Sequence, residues 1–210
     1  MKKLIVCTAL LISGVFNMYA QSDKGDFELG VGLGLNLSNV VVGSSAENST
    51  NSKIGVNFGV SGEYYFSNRW GIKAELLYDS KGWGDGFFEN ENTNESYTTD
   101  YNVNYLTVPV MANWHFGSTR RWYLNFGPYI GFVLNAEEDR GGTDVKDAFN
   151  STDFGIALGI GHKFDIAENT KLFVEYDAQS GLSDIFANNL GSSVRNGRSS
   201  FNVGLIFTNL

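Results

Sequence analysis

Chemistry in this chain has few places to start. The only imidazoles are His115, in WHF, and His162, in GHK, so a general base of the usual kind must be one of these two. The only thiol is Cys7, close to the N-terminus. Charged residues recur inside otherwise apolar stretches at Glu63, Lys73, Glu75, Lys163, Glu175 and Asp177. Groups of that kind either pair with one another or form a path for an ion or a proton. Glycine-rich stretches, GVGLGLN and GIALGIG, carry the spacing of phosphate loops. Neither leads into a helix whose N-terminus could hold a phosphate, so neither reads as one. Acidic runs at Asp85, Glu89, Glu91, Glu95 and Asp100 and at Glu137, Glu138, Asp139, Asp144 and Asp147 could bridge divalent cations to lipopolysaccharide or dock an external partner. Neither run has calcium-loop spacing, and Trp83, Phe87 and Phe88 beside the first read as exposed.

The elements that position these residues follow from the period of the sequence. From Phe27 the chain runs FELGVGLGLNL, apolar at every odd position. That alternation is a strand with two unlike faces. The same pattern recurs in segments beginning near Ile54, Trp70, Leu106, Trp122, Phe154, Leu172 and Phe201, which makes eight strands, and no segment reads as a helix. Short turns fall near Ser67 to Arg69, Gly117 to Arg121 and Ala167 to Thr170, and long polar loops near 38–53, 82–102, 137–152 and 183–199. One short turn per pair of strands is an up-and-down meander with all its long loops at one end.

Volume decides which face is outside. An eight-stranded barrel has an interior just wide enough to be filled by side chains. The apolar face carries too many Phe, Tyr and Trp rings for that space, whereas the opposite face mixes glycines with the charges named above. The apolar face therefore points at lipid, since overpacking would destabilise the inverse arrangement. Tyr64, Phe66, Trp70, Trp114, Phe116, Trp122 and Phe164 stand where strands meet short turns, as an aromatic girdle at one membrane interface requires. Parity then places His115 in the lumen and His162 on the outer face, both beside short turns. Pro109 and Pro128 flank the Gly117 to Arg121 turn, and the donors they lack predict a shared bulge.

The first twenty residues, with Lys2 and Lys3 before an apolar stretch ending at Ala20, read as a secretory signal peptide, leaving 21–210 as one barrel domain. Cys7 departs with it, so the remaining chain has no thiol and no disulfide. The formal charge moves from -8 to -10, because 13 Lys and Arg then face 23 Asp and Glu. That sign argues against a nucleic-acid partner. No later run is apolar and long enough for a transmembrane helix.

The segments AELLYDSKG at 74–82, YLTVPVMANWHF at 105–116, LNFGPYIGFVLN at 124–135, DFGIALGIGHKF at 153–164 and VEYDAQSGLSDI at 174–185 resemble the PorT-like family of outer-membrane β-barrels of Gram-negative bacteria. The resemblance implies an outer-membrane location and no catalytic residues. It also implies, as one alternative, an accessory part in a protein secretion apparatus. Such barrels usually end on an aromatic residue, whereas this chain ends FTNL with Phe207 three places short. The sequence thus predicts an all-β, eight-stranded antiparallel up-and-down transmembrane barrel. It is expected to be monomeric, without cofactor, metal or catalytic site, in contact with outer-membrane lipid and lipopolysaccharide, and to hold a structural or surface-interaction role. A narrow pore and a lipid-modifying enzyme stand as further alternatives.

Overall fold

The computed structural model describes residues 23–43, 50–90 and 95–208. Eight strands follow in chain order: β1 (Phe27–Val42), β2 (Asn51–Ser67), β3 (Trp70–Asn90), β4 (Glu95–Phe116), β5 (Trp122–Glu138), β6 (Thr152–Ala167), β7 (Thr170–Gly181) and β8 (Val194–Thr208). Each pairs antiparallel with the next, and β8 pairs with β1 from Glu28↔Thr208 to Val42↔Val194, which closes the barrel. Closure leaves no sheet edge around the ring, which is why strands can cross lipid with every backbone group paired. The expected signal peptide and Cys7 lie outside the described residues.

Alternation fixes the two surfaces. Leu33 is 62% exposed, Ile54 75%, Leu158 52% and Phe201 58%, whereas Glu63 is 4% exposed, Lys73 8% and Lys163 4%. The apolar side chains face out and the charges face in. On the outside, at the short-turn end, rings form a continuous arc across four strands. Trp70 and Trp114 have centroids 6.2 Å apart, Trp114 and Phe116 5.1 Å, Phe116 and Trp122 6.4 Å, Trp122 and His162 4.7 Å, and His162 and Phe164 4.4 Å. His162 thus takes a place within the girdle, where amphipathic rings suit the headgroup level.

Four features differ from the sequence expectation. Strands β3 and β4 run well into the expected loop at 82–102 and pair out to Asn90↔Glu95, with a register shift between Trp83 and Gly86. The shift coincides with Asp85 at φ 54° and Gly82 at φ 151°, backbone conformations that bend the ribbon at that point. The loop at 137–152 contains one 3-10 turn, Lys146–Ala148, where no helix was expected. The shared bulge at the prolines is absent. Register is constant from Tyr105↔Val133 to Phe116↔Trp122, the ladder merely skips Val110 and Met111, and the shift falls between Asn104 and Tyr105. A missing donor costs one rung, which needs no extra residue to relieve it. The fourth difference concerns Trp83, which is 4% exposed and belongs to the core at the long-loop end.

Candidate functional site

The lumen and its outer cover are where the charged side chains converge. Near the short turns, Lys163 Nζ donates to Glu28 Oε2 at 2.6 Å, Glu63 Oε2 at 2.9 Å and the Tyr65 hydroxyl at 2.9 Å. Lys171 holds the other Glu28 oxygen at 2.6 Å. Glu63 Oε1 lies 2.7 Å from His115 Nε2 and accepts from Asn113 Nδ2 at 2.9 Å. His115 Nδ1 is 3.3 Å from the Arg120 carbonyl. Both imidazole nitrogens are engaged, and the histidine holds the lower ion cluster in place.

At mid-height Lys73 joins Glu75 at 2.6 Å and Glu175 at 3.0 Å, and Asn125 Nδ2 donates to Glu175 at 2.9 Å. Arg198 pairs with Asp177 and lies 3.5 Å from Asp79. Asn36 and Asn57 stitch Asp79 to Ser200 and Asn202. Higher still, Lys81 stands 3.6 Å from Asp79 and 3.7 Å from Asp153, donates to Gln179 at 3.0 Å, and sits over the rings of Tyr105 and Tyr129 at 4.9 and 4.8 Å. Lys163 lies likewise over Tyr65 and Tyr123, and Lys73 over Tyr123 and Phe173. An ammonium between ring faces is stabilised without a further acid.

These partners are nearly all buried, and several pairs, among them Lys73 with Glu175 and Lys163 with Glu28, join strands that are not neighbours. Isolated charges in such a space would cost several kcal/mol each, so the pairing is what makes a polar lumen tolerable. The six charges singled out in the sequence are all here. Glu28, Asp79, Lys81, Asp153, Lys171 and Arg198 share their inward parity and complete the network, although the sequence reading did not single them out. The glycine stretches contribute lumen wall and hold no phosphate cradle. Among the described residues no group of three or more His, Cys, Asp or Glu could hold a metal ion.

The long-loop end is covered. Val40, Trp83, Tyr101, Val103, Tyr105, Val133, Ala136, Phe149 and Ile185 form one buried apolar cluster, with Phe88, Val145, Phe186 and Val194 packed against it. Trp83 stacks on Tyr101 at 4.8 Å and meets Phe149 and Phe186 at 6.0 and 6.1 Å. Two loops close over the mouth to deliver those rings. Phe149 bridges Phe186 as in a sheet, Asn150 N donates to the Ile185 carbonyl at 2.8 Å, and Asn150 Nδ2 donates to the carbonyls of Asp184 and Phe186. Trp83 is therefore buried, Phe88 is half-buried, and only Phe87, at 68%, is the exposed ring that was expected.

Glu138 is a further departure from a solvated acidic loop. It is fully buried, and its carboxylate accepts from the backbone N–H of Arg140, Gly141 and Thr143 at 3.0, 2.7 and 3.2 Å and from the Thr99 hydroxyl at 3.1 Å. It shapes the β5–β6 loop from within. Asp85, Asp100, Glu137, Asp139, Asp144 and Asp147 stay at the surface, with Lys53 bridging Asp139 at 2.7 Å and Asp100 at 3.8 Å. The side chains of Glu91 and Glu95 lie outside the described residues.

Comparison with known proteins gives the same architecture. A family model described as "Outer membrane protein beta-barrel domain" matches residues 19–187. The crystal structure of the outer membrane protein OprG from Pseudomonas aeruginosa superposes with a TM-score of 0.55 at 12% identity, over 91% of this chain and 99% of that one. Neisserial surface protein A (NspA) gives 0.50 at 17% identity, over 86% and 96%. Ail, the attachment invasion locus protein of Yersinia pestis, in complex with the heparin analogue sucrose octasulfate, gives 0.47 at 17%, over 87% and 99%. No curated protein matches by sequence.

Proposed function

Because the chain belongs to the outer membrane protein beta-barrel domain family, and is thereby a β-barrel of the outer membrane, we propose that it is a closed barrel whose outward end serves surface interaction. The observation that carries this reading is the double blockage of its axis. An ion network fills the lumen, and an apolar cluster with Trp83 and Phe149 at its centre covers the long-loop mouth. A permeation route for solutes would have to break both. The cover also presents an acidic surface, since Asp85, Glu137, Asp144 and Asp147 surround a packed base beside Asp100 and Asp139, which Lys53 bridges, and charge complementarity favours a cationic partner. The barrel wall meets outer-membrane lipid and lipopolysaccharide as a monomer. Catalysis is not part of this reading, because His115 is committed to Glu63 and Arg120 and His162 to the girdle.

Planar-bilayer recording tests the first half: purified protein should show no stable unitary currents of porin size, and such currents would refute a closed barrel. Zero-length crosslinking in native membranes tests the second. A protein partner captured by the wild type should be lost when Asp85, Asp100, Glu137 and Asp139 become Asn or Gln, and capture that is indifferent to those charges would refute an electrostatic surface.

A second reading, an accessory role in a protein secretion apparatus, draws support from the PorT-like segments. The last of them runs from the lumen carboxylates Glu175 and Asp177 to Ile185 in the cover, so the resemblance reaches the base on which the outward surface rests. Co-purification of an envelope-spanning complex would favour it over a free surface protein.

A further inference from the structure

Strands β1 and β2 line the lumen with Gly30, Gly32, Gly34, Gly55 and Gly59, where β3, β6 and β7 supply lysines and carboxylates. Other side chains close over this wall, Ser61 on Gly30, Phe173 on Gly32 and Asn202 on Gly34, and small gaps remain between them. Two cavities lie against it. The lower, of about 10 Å³, is bounded among others by Gly30, Ser61, Glu63, Lys73, Asn113 and Lys163. The upper, of about 30 Å³, is bounded among others by Gly32, Gly59, Ser61, Glu75, Asp177 and Asn202. Ser61 and Phe173 line both, so the cavities share a wall.

Their chemistry selects an occupant. Asn113 is fully buried and spends its amide nitrogen on Glu63, while its Oδ1 finds no donor among the described residues. The lower cavity is lined by two ammonium groups and two carboxylates, since Glu28 also borders it. A cation there would meet Lys73 and Lys163, and an anion would meet Glu28 and Glu63. A neutral molecule that both donates and accepts meets each group with the sign it needs. About 10–15 Å³ is the least such volume that holds one water, and a bound water needs two to four polar partners.

We propose that the glycine wall binds water at these two sites. The lower water donates to Asn113 Oδ1 and accepts from a lysine of the lining. The upper one lies among Asn202, Glu75 and Asp177, and the Ser61 hydroxyl between them joins the two. Solvent then links the Lys163 cluster to the Lys73 and Arg198 clusters, between which no hydrogen bond among the described residues runs along this side.

Crystal structures of the full-length mature protein, at a resolution that shows ordered solvent, test this in wild type, Ser61→Val and Ser61→Ala. Wild type should show a peak in each cavity, with the lower within hydrogen-bond distance of Asn113 Oδ1. The valine should abolish at least one peak by filling the shared wall. The alanine, which adds no volume, should keep both peaks and lose only the contact through the hydroxyl. Cavities without density in wild type, or closed by a rotated lining side chain, would overturn the proposal. So would an anomalous peak in either cavity after thallium exchange, because the occupant would then be a monovalent cation.

Discussion

Lys163 and Glu28, 135 residues apart in the chain, meet at 2.6 Å across the barrel interior. Their strands, β6 and β1, are not neighbours, so the contact is a chord of the closed ring and exists only once β8 has paired with β1. Lys163→Met should therefore destabilise the folded barrel by about 3 kcal/mol, since removing one partner leaves buried carboxylates short of charge. Adding Glu28→Gln and Glu63→Gln should restore most of that loss. Urea unfolding in detergent, followed by the heat-modifiable gel shift, measures both. A triple variant weaker than the single one would show that the loss does not come from stranded charge.

Leu158 and Ala157 are adjacent and face opposite ways, at 52% and 2% exposure. Leu158→Arg should lower barrel stability by roughly 2–4 kcal/mol and reduce assembly, because its side chain points into lipid. Ala157→Ser should fold normally. Equal gel shifts for the two variants would contradict the assigned faces.

Trp83 is held between Tyr101, Phe149 and Phe186. Trp83→Ala should loosen the cover by about 3–5 kcal/mol locally. Protease should then cut within 183–193 many times faster, while the transmembrane strands stay protected. Unchanged digestion would mean that the two loops hold together without the indole.

Glu138→Gln replaces one acceptor oxygen with a donor that faces backbone N–H groups. The mismatch should cost about 1–3 kcal/mol and appear as faster amide exchange at Arg140, Gly141 and Thr143. Exchange like the wild type at those three amides would remove Glu138 from its shaping role.

Sidedness follows from the long loops lying at one end and the girdle at the other. With no cysteine beyond Cys7, single ones can be placed at Asn92 and at Ser118. An impermeant thiol reagent on intact cells should label Asn92→Cys and spare Ser118→Cys until the outer membrane is breached. The reverse order would invert the topology.

What the sequence made legible ends where lipid ends. Between the interfaces, one face must be apolar and the other polar, so Phe27 to Leu37 or Phe154 to Ile160 announce strand, face and register together. Beyond the bilayer both faces of a strand can be polar, and the alternation fades. The stretch from Gly82 to Asn90 therefore reads as loop although it is ribbon. Trp83 looks exposed for a related reason, because the rings that bury it come from Phe149 and Phe186, in loops whose fold no periodicity encodes. The register shift at Asn104 brings Ala136 and Glu138 inward, against the parity of the earlier part of β5, and hides the Glu138 carboxylate that shapes the next loop. His115 was placed correctly by parity, but its bond to Glu63 depends on β2 and β4 lying two strands apart around a closed ring.

The clasp between Phe149 and Phe186 also decides where this protein can be rewritten. Surface loops of barrels are the usual sites for grafted peptides, because changes there leave the folded part alone. In this chain 147–151 and 183–187 carry Phe149 and Ile185, core residues that happen to lie outside the bilayer, and the two stretches are bound to each other by the bridge and by Asn150. A tag or epitope inserted in either stretch would split a hydrophobic cluster and uncover the lumen. The same insertion between Asn90 and Glu95 adds to the far end of the β3–β4 ribbon and leaves Trp83 seated. Variation accumulating in this exterior should accordingly be lopsided, permissive at that hairpin tip and strict in the two loops that look, by length and composition, equally free.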